Sequence, residues 1–118
     1  MVSELSVVVY THDNSLFDLL RGLVGIQGSV LLAEEGHILI GHLVCIDLSF
    51  PHRNLVLDNL NDYERDFVLS VISANPFAVS QVRDYNIDAF LAKPLNGESV
   101  QALLVGAKAR LAQKGIYG

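Results

Sequence analysis

Apolar positions along this chain come in compact blocks separated by polar turns. Residues 5–10, 43–47 and 67–73 are short, rich in Val, Leu and Ile, and apolar nearly throughout. That is the pattern of strands covered on both faces, as in the centre of a parallel sheet. Residues 29–33 and 89–92 are lesser runs of the same kind. Between these blocks the apolar spacing becomes helical. Leu16, Leu19, Leu20, Leu23 and Val24 share one face over residues 15–24, with Asp13 or Asn14 as the cap and Gly25 and Gly28 as the stop. Asn54 caps a two-turn helix over 55–60 that turns Leu55, Leu57 and Leu60 inward. Asn75-Pro76 starts a helix that runs to about Tyr85, and Asn86 suits the left-handed position after it. Asn96-Gly97 opens the last helix, with Val100, Leu103, Leu104, Ala107 and Leu111 as its stripe and Lys108, Arg110 and Lys114 near its negative end.

Strands alternating with helices predict a flavodoxin-like α/β fold, a five-stranded parallel sheet with helices on both faces, as one domain over 1–118. One interval is too short for that plan. Residues 34–42 alone separate the second strand from the third, where a parallel crossover takes about a dozen residues or more. Either the second helix is reduced to a turn around 37–40, or Glu35-Gly36 turns a small hairpin. The reduced helix is the preferred expectation, so that the second helix is shortened or missing.

Composition narrows the setting. With 51% hydrophobic residues in 118, the chain supports one packed core and not a disordered tail. The first residues carry no basic leader, and the apolar run 7–10 is too short for a signal peptide. The longest apolar stretch, 38–46, is broken by Gly41 and His42 and is far short of a bilayer span, so no membrane partner is expected. The lone Cys45, inside a strand, excludes a disulfide framework and fits a reducing, cytoplasmic compartment. A net charge of −5 argues against nucleic-acid binding by this domain.

The candidate chemistry sits where strands end. Ligands of open parallel sheets gather at the carboxyl edge. There strand one runs into Thr11-His12-Asp13, strand three ends in Asp47 before a loop closed by Pro51, strand four ends in Ser73, and strand five meets Lys93. An acid, a hydroxyl and a lysine in one cleft suit acyl-phosphate chemistry: the carboxylate attacks a phosphoryl group whose oxygens the other two hold. His12, Asp13, Asp47 and His52 could instead make a transition-metal site; the plainer reading is two loop histidines beside the cleft. His37 and His42 are expected at the surface or in the crossover, and Cys45 as a small buried hydrophobe.

Four pieces in order, Val7-Val8-Val9-Tyr10 before an acidic turn, Ile46-Asp47-Leu48-Ser49-Phe50-Pro51, Ser73-Ala74, and Phe90-Leu91-Ala92-Lys93-Pro94, resemble the receiver domains of two-component response regulators. The resemblance covers nearly the whole chain. It implies that Asp47 is the phosphoacceptor, that Ser73 and Lys93 bind the phosphoryl group, and that Phe90 is the aromatic that turns inward on switching. It implies Mg²⁺ held by Asp13, Asp47 and the carbonyl of Ser49. The implied partners are a histidine kinase or phosphotransfer protein, and a second copy docked through the helix after Asn75, the strand 89–92 and the last helix. An effector domain would follow residues 115–118 if the domain opens a longer regulator.

The chain also departs from that family. The two acidic residues placed after strand one are Thr11 and His12 here, and only Asp13, one slot on, is acidic. Mg²⁺ is a hard ion that wants carboxylates and carbonyls, so its binding is expected to be weak or absent. Lys93, with or without His12, would then neutralise Asp47 directly. The expectation is an atypical pseudo-receiver that is not an enzyme and signals through protein contacts. The alternative is a small flavodoxin-like enzyme or metal-binding domain, against which stand the lack of a Gly-rich phosphate loop after strand one and of a metal motif.

Overall fold

The computed structural model describes residues 4–116; the first three residues and the last two of the 115–118 tail lie outside it. Five strands form, β1 Leu5–Tyr10, β2 Gly28–Leu32, β3 Leu43–Asp47, β4 Val68–Ser73 and β5 Ala89–Ala92. They make one sheet in the order β2-β1-β3-β4-β5, every pairing parallel. Apart from Ser6, every residue of β1, β3 and β4 is buried, which is why these three read as continuous apolar runs.

Alternate residues of the central strands feed two cores. Val7, Val9, Leu43, Cys45, Val68 and Ile72 pack under α1 (Asn14–Val24) and the last helix, Gly97–Gln113, through Leu16, Leu20, Val100, Leu104 and Leu111. Val8, Tyr10, Val44, Ile46, Leu69 and Val71 face the other side, under α2 (Arg53–Asn61) and the segment after β4. Asp13 caps α1, its Oδ1 accepting from the N–H groups of Ser15 and Leu16. The last helix opens on a capping box between Asn96 and Ser99.

Beyond Leu55, which turns outward at 59% exposed while Val56 takes a buried place, three local expectations change. Helix α2 starts at Arg53, so Asn54 lies inside it and caps nothing. The tight turn in which Phe50 N–H reaches the Asp47 carbonyl brings the chain round early, and His52, in the left-handed region at φ 59°, offers the first helical carbonyl to Leu55 and Val56. The helix expected over 76–85 is broken into a 3₁₀ turn Pro76–Ala78, a single α-turn α3 (Val79–Val82) and a second 3₁₀ turn Arg83–Tyr85. Only Ala78 and Val82 of it are fully buried, too narrow an apolar face to hold a regular helix. Asn75 caps it and Asn86 ends it at φ 58°, as the sequence implies. The last helix is therefore α4.

The third change is the place of the crossover turn; the second helix itself is missing, one of the two outcomes expected. Residues 33–42 form neither a helix nor a hairpin. Glu35-Gly36 makes a turn, with His37 N–H on the Glu34 carbonyl at 3.3 Å, and the rest is irregular. The segment is fixed to the sheet by side chains and close backbone contacts. The buried Tyr10 hydroxyl accepts the Leu39 N–H at 2.7 Å and donates to the Leu39 carbonyl. His42 Nδ1 accepts the Ser6 N–H at 2.9 Å, and His42 N–H donates to the Ser6 carbonyl at 2.7 Å. Gly41 passes so near that a Cβ there would sit 2.6 Å from the Ser6 carbonyl oxygen.

Candidate functional site

At the carboxyl edge of the sheet Asp47 is 1% exposed and accepts four hydrogen bonds. Its Oδ1 takes the Ser49 N–H at 3.0 Å and the Ser49 hydroxyl at 2.8 Å. Its Oδ2 takes the Thr11 hydroxyl at 2.7 Å and the Lys93 ammonium at 2.7 Å. A carboxylate has about four lone-pair directions, so all are engaged. Lys93 Nζ also meets Asp13 Oδ2 at 3.1 Å, so a single ammonium bridges the acids after β1 and β3. Thr11, equally buried, accepts the Asp13 N–H at 2.9 Å and thereby ties the α1 cap to Asp47.

The electrostatics follow from these contacts. Burial pushes the Asp47 carboxyl up, but the bonds from Lys93, Ser49 and Thr11 together outweigh it and hold the group below the usual carboxylate range. Lys93 holds the Asp13 carboxyl down as well. Partial burial works against the Lys93 charge, yet its two acidic partners raise its pKa above the ordinary lysine value. All three groups are therefore charged at neutral pH.

The other expected site residues lie nearby in different states. Ser73 is buried at the end of β4, its hydroxyl accepting the Asn75 N–H at 3.0 Å and its carbonyl the Lys93 N–H at 2.8 Å. Phe90 is half-buried on β5 and packs against the second core with Tyr85 and Ile87. Ser49 meets Asp47 through donors, its N–H and hydroxyl. His12 points elsewhere: its ring packs edge-on against Phe50 and its Nε2 lies 3.3 Å from Glu35. His12, Asp13, Asp47 and His52 are thus not gathered around one point, and among the described residues no three His, Cys, Asp or Glu side chains are. Cys45 is fully buried beside the Ser70 hydroxyl, and burial pushes its thiol up to about 11, too protonated to be a nucleophile near neutral pH.

Two residues of this region escaped the sequence pattern. Arg53, at the first turn of α2, donates to the Leu48 carbonyl and lines a cleft of about 380 Å³ with Asp47, Ser73, Gln81 and Lys93. Its only sequence signal is its place in the loop after Asp47. Thr11 reads in sequence as a lost acid, whereas in the fold it is a donor to Asp47. Across Lys93 from the first cleft lies a second of about 370 Å³, walled by Leu16, Leu19, Pro94 and Leu95. The Lys93-Pro94 peptide between them is cis.

Solved structures with the same architecture are receiver domains. A signal receiver domain from Vibrio parahaemolyticus, assigned to a Luxo repressor, superposes with a TM-score of 0.75 at 16% identity over 98% of each chain. A CheY-like receiver domain protein from Methanospirillum hungatei matches at 0.71 and 14%, over 96% of this chain and 98% of its own. The response regulator DrrB of Thermotoga maritima matches at 0.74 and 14%, and this chain spans 55% of it. At such identities the likeness is one of fold: the chain has the receiver fold, including the five-stranded parallel sheet. No family model and no curated protein matches it.

Proposed function

We propose that this chain is a receiver-like signalling domain whose phosphoacceptor pocket is held closed by its own side chains, so that it works through protein contacts without phosphorylation. The observation that carries this reading is the saturation of Asp47. To attack a phosphoryl group, a carboxylate oxygen must be free and its charge must be drawn off by a cation that also holds the phosphoryl oxygens. Both oxygens of Asp47 are occupied, and the cation beside it is an ammonium on a tether.

The donor set bears on the metal that the family resemblance implies. Mg²⁺ takes near-octahedral oxygen ligands and prefers carboxylates. Thr11 offers a hydroxyl already committed to Asp47 and to the Asp13 N–H, His12 faces Glu35, and Asp13 and Asp47 share Lys93. These groups fit a bound ammonium and do not fit a divalent ion. The alternative of a flavodoxin-like enzyme or metal domain gains nothing from the geometry, since the β1 turn is spent on capping α1 and on holding Asp47.

In this reading the contact surface is that of α3, β5 and α4, fixed in one conformation, and it carries a signal by docking. A histidine kinase or phosphotransfer protein would be a partner only if Asp47 were labelled. The deciding experiment is intact mass after incubation with acetyl phosphate and Mg²⁺, beside an Asp47→Asn control. The expected result is no added phosphoryl group on either protein. A gain on the native chain that the control lacks would replace this reading with that of a working switch.

A further inference from the structure

Loss of the second helix leaves its mark on the sheet edge. β2 is the outer strand, paired on one side only, with β1. On the face where a crossover helix would lie, Leu31 is 54% exposed and Ile40 39%, and just before the strand Ile26 is wholly exposed. Proteins normally guard such an edge with lysine, proline, a bulge or a covering element. Gly28-Ser29-Val30-Leu31-Leu32 has no charged residue and no proline, and its register with β1 is unbroken. The uncharged run extends over residues 22–33, in a chain of net charge −5.

We infer that β2 is a self-association edge, on which a second copy of this chain adds its own β2 antiparallel to form one continuous sheet across a two-fold axis. Self-complementarity of the uncharged strand selects this occupant, and charge selects this direction. Two acidic copies repel over most of their surface, so an uncharged edge is where they approach. Glu34 and Glu35 lie one residue past the strand, after Ala33. A parallel neighbour in register would set Glu34 against Glu34. An antiparallel one centred on Val30 sends the two acidic pairs to opposite ends and sets Ser29 opposite Leu31. The two Leu31 side chains then lie diagonally across the pair on the uncovered face, within reach of each other. The opposite edge is less suited: β5 is four residues long and flanked by the charged Asp88 and Lys93. Because the strand is short, the contact lies at the small end of specific interfaces, and the dimer should be weak and concentration-dependent. This inference is independent of whether Asp47 is phosphorylated.

The test is sedimentation velocity of the full chain over about 1–500 µM, the range in which a micromolar dimer dissociates and forms. Leu31→Lys, at an exposed position, should leave a monomer throughout, while Leu55→Lys, on the exposed face of α2, should dimerise like the native chain. A native chain that stays monomeric, or a dimer indifferent to Leu31→Lys, would overturn the inference. Should Leu31→Lys fail to fold, hydrogen exchange on the native chain decides: β2 amides more protected at high concentration support the paired edge, and protection independent of concentration refutes it.

Discussion

Asp47 is a reactive residue type whose two oxygens are both engaged in hydrogen bonds. A carboxylate crowded by other acids is relieved when it is neutralised, whereas Asp47 is matched by four donors, one of them an ammonium. Asp47→Asn should therefore lower the unfolding free energy, by about 1–3 kcal/mol, because an amide turns an NH₂ group toward Thr11 or Lys93. Urea denaturation at neutral pH reads this directly, and an unchanged or raised stability would show the pocket to be strained instead. Thr11→Val keeps shape but removes the donor to Asp47 and the acceptor of the Asp13 N–H. A similar loss of about 1–3 kcal/mol is expected, with faster amide exchange at the start of α1. The gathering of Asp13, Asp47 and Lys93 was legible in sequence, because strand ends share one edge of a parallel sheet. The donor roles of Thr11 and Ser49 were not. A hydroxyl's partner depends on distances of a few tenths of an ångström, which residue order does not carry.

At the scale of elements, the central strands and both long helices follow from apolar spacing, since each must bury one or two faces. The crossover does not. Its hold on the sheet comes from one tyrosine, one histidine and one glycine, none of which forms a periodic pattern. Tyr10→Phe would leave the Leu39 N–H and carbonyl without their partner against a buried ring, costing about 1–3 kcal/mol. Hydrogen exchange should quicken over residues 36–42 and stay slow at β3 and β4. Gly41→Ala puts a methyl 2.6 Å from the Ser6 carbonyl oxygen, and backbone there cannot give way as a side chain could. It should cost more than Tyr10→Phe, with a lower midpoint in thermal melting. If Tyr10→Phe exchanged like the native chain, the segment would be held by the packing of Ile38 and Leu39 and not by the hydroxyl.

For the whole molecule, the ion pairs at the carboxyl edge should set how stability depends on pH. Asp47 and Asp13 titrate below their ordinary values in the folded chain. Such groups give their stabilisation fully above the unfolded carboxyl value, about 3.9, and lose it as pH falls through the lower folded value. Lys93 is shifted up, so its share is full below about 10.4 and is lost as pH rises through its raised folded value. Between those limits the cluster contributes a plateau. Asp13 is 38% exposed and screened by solvent, so most of the effect belongs to the Asp47–Lys93 pair. Lys93→Met removes the cation and leaves a carboxylate that is 1% exposed, which should cost about 3 kcal/mol at pH 7. Without the ammonium, burial raises the Asp47 carboxyl relative to the native chain, and protonation then removes the cost of the missing partner. The stability gap between native and Lys93→Met proteins should accordingly be widest at neutral pH and close as the solution is acidified below about pH 4. Urea titrations of both proteins from neutral to acid pH test this: a gap that stays constant would mean that Lys93 stabilises the fold by packing of its stem alone, and that Asp47 is charged or neutral without consequence for the whole.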